Sequence, residues 1–92
     1  MSGTVAGLVT PHLLRVVDLA NQAEKGMNVE WLLRGTVSMS MTELRDQWNA
    51  PALVASYIEG LETAAANAAP SRELYIRALK AAAAVARGPG RG

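Results

Sequence analysis

Residues 36–42 read TVSMSMT, and apolar and hydroxyl side chains alternate strictly along them. A period of two is typical of a β-strand that buries one of its faces. The segments on both sides of this stretch instead have the spacing of amphipathic helices. The stretch therefore has two interpretations: a short strand near residues 37–41, or a linker that ends in a helix cap.

The linker interpretation depends on Ser40 and Glu43, which have the S-x-x-E spacing of a capping box. In that motif the hydroxyl and the carboxylate each accept a hydrogen bond from a backbone N–H group at the start of a helix. This spacing predicts a helix over 41–49.

The strand interpretation requires a partner for the backbone N–H and C=O groups of the stretch. No other segment alternates in the same way, so the partner would be the same strand of a second copy, antiparallel about a two-fold axis. The predicted partner-binding or dimer-interface residues are Val37, Met39, Met41 and Trp48. Methionine adapts to irregular surfaces and tryptophan often anchors an interface. The alternative for each residue is a place in the ordinary core.

Upstream of the stretch, local signals predict a first helix over 11–25. Thr10 can cap it, and Pro11 suits the first helical position, because the N–H group that proline lacks has no partner there. Gly26 follows the last residue of the pattern and can adopt the left-handed conformation that often ends a helix.

A second, short helix is predicted over 29–34, with Asn28 as its cap and Gly35 as its end. So short a helix is unstable in isolation. We therefore expect Trp31 and a neighbouring leucine to pack against the first helix.

Downstream, a helix over 51–68 has the clearest apolar face in the chain, and Leu61 lies near the centre of that face. A break is expected at Ala50, because the residue before a proline avoids helical geometry. A last helix is predicted over 72–87, and a short turn joins the two helices into an αα-hairpin.

The predicted fold class is therefore all-α. It is a small bundle of about five helices that ends in a long αα-hairpin, with one short strand near 37–41 if the stretch is extended. The predicted organisation is a single helical domain over 1–87, followed by a flexible tail of glycine and arginine over 88–92.

Composition narrows the class of protein further. The chain has 92 residues and no cysteine, which excludes disulfides and thiolate metal sites. No run of about 18 apolar residues occurs, so no membrane-spanning helix is predicted. The first residues, MSGTVAGLVTP, contain no basic leader of the kind found in secretory signals. We therefore expect a cytoplasmic protein that does not bind a membrane.

Residues that could carry catalysis are few. His12 is the sole histidine, and we expect it to be partly exposed at the start of a helix. Glu59 and Glu62 are expected to lie on a solvated surface and not to hold a metal ion. No glycine-rich phosphate loop precedes a helix. The sequence therefore predicts no enzyme, no metal site and no cofactor.

Residues 13–36, LLRVVDLANQAEKGMNVEWLLRGT, resemble the last part of helix-turn-helix domains of the lambda-repressor/Cro type. The matching positions are Leu19, Ala20, Gly26, Val29, Trp31, Leu32, Leu33 and Gly35. The resemblance implies a helical DNA-binding domain in which these positions are packing residues. In that family the recognition helix precedes this segment, so the resemblance assigns no base-reading residue.

Two other segments together are similar to ribbon-helix-helix repressors. In that family each chain contributes one strand, and the two strands pair in the dimer. The similarity consists of SMSM as the strand and PSRELYIRAL as a later helix, with Arg72, Leu74, Ile76 and Leu79 as the matching residues. Some 30 residues separate the two segments, more than that compact motif contains.

The distribution of charge bears on the alternative function. The net charge is only +1, yet residues 72–92 carry five basic side chains and one acidic side chain. If the protein binds DNA as a transcription regulator, the predicted phosphate contacts are Arg72, Arg77, Lys80 and Arg87. The low net charge favours a different class: a small regulatory protein that forms a homodimer and binds another protein, as an adaptor, inhibitor or anti-activator. By analogy, the repressor-like segment 13–36 fits a regulator of bacterial or phage origin.

Overall fold

The computed structural model describes residues 4–47 and 51–88, and within these ranges all regular structure is helical. The elements are α1 (Thr4–Glu24), α2 (Glu30–Met41), a π-helical segment (Thr42–Gln47), α3 (Pro51–Asn67) and α4 (Glu73–Arg87). The all-α class is confirmed. The prediction of about five helices is wrong, because four α-helices and a π segment occupy the described residues. Trp48, Ala50 and residues 89–92 of the predicted tail lie outside them.

Helices α1 and α4 form the centre of the bundle, because each contacts the other three helices. The core consists of apolar side chains from all four helices and from the π segment. Leu61 of α3 is fully buried, as its position on the apolar face predicts. The αα-hairpin of α3 and α4 is also confirmed, with boundaries within one residue of those predicted. No helix among the described residues has the length and apolar content needed to cross a bilayer.

The end of α1 follows from a local signal. Gly26 has a φ of 95°, in the left-handed region that favours glycine. The Met27 N–H group donates to the Gln22 carbonyl at 3.1 Å, and the Gly26 N–H group donates to the Ala23 carbonyl at 3.0 Å. Two such bonds across a left-handed residue form a Schellman-type ending. The predicted stop at this glycine is therefore confirmed.

The start of α1 differs from the prediction. The helix begins at Thr4, and Pro11 lies inside it. Thr10 is therefore an interior helical residue and not a cap. An interior proline removes one backbone hydrogen bond and costs about 3 kcal/mol. Burial of Val9 offsets this cost, because the roughly two extra turns before Pro11 place that side chain in the core.

The stretch 36–42 is helical, so the predicted strand and its pairing with a second copy are wrong. Helix α2 continues through Gly35, the predicted end of the second helix, and reaches Met41. Its buried residues are Leu33, Val37, Ser40 and Met41, which follow a helical period. The alternation in sequence arises because both faces of the helix mix apolar and hydroxyl residues: Ser40 is buried with Val37 and Met41, and Met39 is exposed with Ser38.

The helix predicted over 41–49 is replaced in part by the π segment, which continues directly from α2. Thr42 has α-helical dihedrals, and its N–H group bonds to backbone carbonyls of α2, so no helix starts there. Ser40 is consequently not a cap, and the predicted capping box does not form. Leu44 is buried and anchors the π segment in the core.

Candidate functional site

A buried polar cluster joins α1, α2 and α3. His12 Nδ1 lies 2.7 Å from the Ser40 hydroxyl, and His12 Nε2 lies 3.4 Å from the Glu43 carboxylate. The His12 ring meets the Tyr57 ring edge to face, with centroids 6.2 Å apart. His12 is only 4% exposed and Ser40 only 1%. The prediction of a partly exposed histidine at a helix start is wrong, because α1 begins earlier and places His12 on its buried face.

This cluster has the order of a serine–histidine–carboxylate relay, but its serine is closed to solvent. A nucleophile needs room for a substrate carbonyl and for donors to the oxyanion that develops. The 1% exposure of Ser40 provides no such access. We therefore assign the cluster a structural role: a buried hydrogen bond joins the end of α2 to α1, and the His12 ring contacts Tyr57 of α3.

Tyr57 completes the cluster on the α3 side. Burial raises the pKa of its hydroxyl, and the nearby Ser40 hydroxyl and Arg15 guanidinium partly offset that rise. The Tyr57 hydroxyl is buried and has no partner with good hydrogen-bond geometry among the described residues. Spacing on α1 could have revealed the cluster, since His12 lies three residues after buried Val9 and four before buried Val16.

The outer face of α2 is a second feature, and it consists of Trp31, Leu32, Gly35 and Met39. Trp31 is 82% exposed, Leu32 57% and Met39 70%. Trp31 and Leu32 precede Gly35 by four and three residues, and Met39 follows it by four, so all of them lie on one side of the helix, opposite its buried side. Helix α2 is therefore apolar on both sides, and only one side is covered within the chain.

The residues predicted for an interface separate in the structure. Val37 and Met41 are buried core residues, so neither is available on the surface, whereas Met39 is exposed on the outer face of α2. Trp48 lies outside the described residues. The prediction that Trp31 packs against the first helix is wrong, because the side of α2 that carries Trp31 faces solvent. Its spacing of eight residues from Met39, with Gly35 between them, was the signal that could have revealed this face.

An apolar groove runs between α2 and α4. Its main part has a volume of about 580 Å³. Its apolar lining includes Met27, Leu33, Leu74, Ala78, Ala81 and Val85. A second depression of about 420 Å³ shares Arg34, Ala84 and Val85 with it and adds Ser38. The two depressions therefore form one extended groove, called here the α2–α4 groove.

Two arginines line this groove. Arg34 projects from α2 and makes a long contact of 3.9 Å with Glu30, in which both side chains are largely exposed. Arg77 projects from α4 and forms no ion pair with any described residue. Exposed ion pairs contribute only about 0–1 kcal/mol to stability, so the contact with Glu30 holds the Arg34 side chain only weakly. Both guanidinium groups are available to an anionic group in the groove.

The four basic residues proposed for phosphate contacts do not form one free surface. Arg72 is paired with Glu24 at 2.8 and 2.9 Å, bonds Asn21 at 3.0 Å and lies over the Tyr75 ring. Its hydrogen bond to Glu24 lowers the pKa of that carboxyl and raises the pKa of Arg72 itself.

Arg87 is paired with Glu62 of α3. Lys80, like Arg77, forms no ion pair with the described residues. Half of the predicted phosphate contacts are therefore already occupied by carboxylates of the chain itself.

No protein-family model matches this chain, and neither the curated proteins nor the solved structures contain a match to it. The resemblance of residues 13–36 to repressor-type domains therefore stays a prediction. Within that segment Leu19, Val29 and Leu33 are buried, but Trp31 and Leu32 are exposed. Two of the large side chains expected to pack thus lie on the surface, as do the matching glycines, Gly26 and Gly35.

Proposed function

We propose that this chain is a non-enzymatic protein-interaction domain that docks another protein on the outer face of α2. The observation that carries the proposal is a helix with an apolar face on each side, of which the fold buries one. Trp31, at 82% exposure, is the largest apolar side chain on the uncovered face. A regulatory role, as an adaptor or inhibitor, is the function class that fits a domain acting by binding alone.

The free energy gained by burying apolar side chains favours a complex in which a partner covers the outer face of α2. Burial of a large apolar side chain contributes about 1.5–3 kcal/mol. Trp31, Leu32 and Met39 together could supply several kcal/mol to a complex, enough to act as its central contacts. Gly35 lies between them without a side chain and allows a partner to approach the helix backbone closely.

The arrangement of the bundle explains why α2 presents this face. Helix α2 packs on α1, on α4 and on the π segment. The side that carries Trp31 and Met39 points away from these neighbours. Clusters of exposed apolar side chains on one helix are typical of sites where proteins meet, whereas scattered single ones are ordinary.

The test is a comparison of Trp31→Lys with Leu14→Lys. Leu14 is a matched control because it is an apolar residue of α1 that is 60% exposed and lies outside the outer face of α2. Both variants should keep the far-ultraviolet circular dichroism of the wild type, since neither side chain is in the core. We expect a partner cross-linked in extracts of the native host to be retained by the wild type and Leu14→Lys, and lost by Trp31→Lys.

The oligomeric state of the purified chain provides the second measurement. If sedimentation shows a dimer that Trp31→Lys dissociates and Leu14→Lys preserves, the docked protein is a second copy of this chain. If a partner or a dimer is retained equally by both variants, or if none is found for the wild type, the outer face of α2 is not a docking surface.

A further inference from the structure

The α2–α4 groove is a surface separate from the outer face of α2, and its shape suits an elongated ligand. Met27 and Leu74 lie at one end of it, and Ser38 and Ala84 lie at the other. The ten steps from Leu74 to Ala84 along α4 correspond to about 15 Å at the rise of an α-helix. The groove is therefore about three helical turns long and is open to solvent along its length.

The walls of the groove favour an apolar surface on the ligand. Its lining on α4 is rich in alanine, which allows a close approach and is called here the alanine floor. Its larger apolar lining residues are Met27, Leu33, Leu74 and Val85. An amphipathic helix laid between two neighbouring helices buries residues at a spacing of three and four against such a groove. A nucleic-acid backbone would gain nothing from this apolar floor.

The charged residues of the groove define the rest of the ligand. Glu30, Arg34 and Arg77 are the ionisable side chains among its lining residues, so its net charge is positive. Arg34 has only the weak contact with Glu30, and Arg77 has no ion pair with the described residues. Arginine presents a planar fork of donors that matches a carboxylate. The two arginines lie on different helices and so on opposite sides of the groove.

We propose that the α2–α4 groove binds an acidic amphipathic α-helix of a partner protein. The apolar stripe of that helix would contact the alanine floor, and carboxylates beside the stripe would pair with Arg34 and Arg77. The binding mode is a helix in a groove, in which apolar contacts supply affinity and the two cations select acidic over basic helices.

The experiment uses two blocked peptides of about 16 residues, long enough to span the groove as helices. Both carry the same leucine and alanine stripe; one has glutamates beside the stripe and the other has lysines in those positions. Each is titrated into the isotope-labelled full chain at low salt, and amide chemical shifts are followed. We expect the glutamate peptide to shift amides of groove residues and to bind about tenfold more tightly than the lysine peptide.

The double variant Arg34→Glu with Arg77→Glu should reverse this preference, because both substituted positions are exposed and the fold should be unaffected. Ala81→Trp, which fills the exposed floor, should weaken both peptides. The proposal is overturned if neither peptide shifts groove residues, if both bind equally, if the double variant keeps the preference, or if short duplex DNA shifts the same amides more strongly. Loss of partner binding in Trp31→Lys tests only the outer face of α2, so the two proposals can fail separately.

Discussion

Replacement of Ser40 by alanine tests whether the buried polar cluster holds the end of α2 in place. The Ser40 hydroxyl lies 2.7 Å from Nδ1 of His12, which is itself buried. The Glu43 carboxylate near Nε2 favours a proton on that nitrogen, so Nδ1 accepts the hydrogen bond from the serine hydroxyl. Ser40→Ala would leave this ring nitrogen buried without a partner.

The expected cost can be worked out from two opposing effects. A buried polar atom that loses its hydrogen-bond partner destabilises a protein by about 1–3 kcal/mol. Alanine has a higher helix propensity than serine, which returns up to roughly 0.5 kcal/mol. Ser38→Ala is the matched control, because Ser38 is on the same helix but exposed, and it receives the same gain in propensity without losing a buried hydrogen bond.

Urea unfolding of the two variants, followed by far-ultraviolet circular dichroism, gives the comparison. We expect Ser40→Ala to be less stable than Ser38→Ala by about 1–3 kcal/mol, with a melting temperature lower by roughly 4–8 °C per kcal/mol. If the two variants unfold at the same urea concentration, the hydrogen bond between His12 and Ser40 contributes nothing, and the structural role of the cluster is refuted.

Four further substitutions test other parts of the structure. Gly35→Ala should stabilise the fold by about 0.5–1 kcal/mol, because Gly35 lies inside α2 and an added Cβ meets nothing within 4 Å; destabilisation in urea would instead place a helix end at this residue. Leu61→Ala should cost about 2–5 kcal/mol as a fully buried residue, and a loss below about 1 kcal/mol would contradict its place in the core. Tyr57→Phe should be at least as stable as the wild type at neutral pH, because its hydroxyl is buried without a well-placed partner. Burial raises the pKa of Tyr57 in the folded state above its ordinary value of 10.0. The wild type should therefore lose stability as the pH rises above 10.0 towards the folded pKa, and this loss should be absent in the variant. Arg72→Met should lower stability at neutral pH, because the folded pKa of Glu24 is lowered by its partner; the difference from the wild type should shrink as the pH falls below 4.5, and a difference independent of pH would exclude the ion pair as its source.

Local chemistry was sufficient to predict several elements from sequence. Gly26 ends α1 because a left-handed residue is needed there, and glycine supplies it without strain. The αα-hairpin was predicted because α3 has a continuous apolar face, centred on Leu61, and a proline-containing turn follows it. In each case the deciding interactions lie within a few residues of one another, so the sequence alone carries the information.

The wrong predictions at Pro11 and Gly35 have the opposite cause, which is packing between residues that are distant in sequence. Pro11 and Gly35 are local signals for a helix start and a helix end, yet both lie inside helices. Burial of Val9 on α1 and of Val37 on α2 outweighs those signals, because propensities are worth about 1–3 kcal/mol and core contacts compete with them directly.

The candidate functional surfaces depend on the same long-range contacts. The sequence by itself determined that the chain forms amphipathic helices, where α1 ends, and that α3 and α4 form a hairpin. Only the tertiary structure decided that TVSMSMT is helical, because its buried Ser40 meets a partner 28 residues away in sequence. The same packing decided which side of α2 faces the core, and so left Trp31 exposed and opened the α2–α4 groove. Helical periodicity identifies apolar faces, but which of two faces is buried depends on the neighbouring helices.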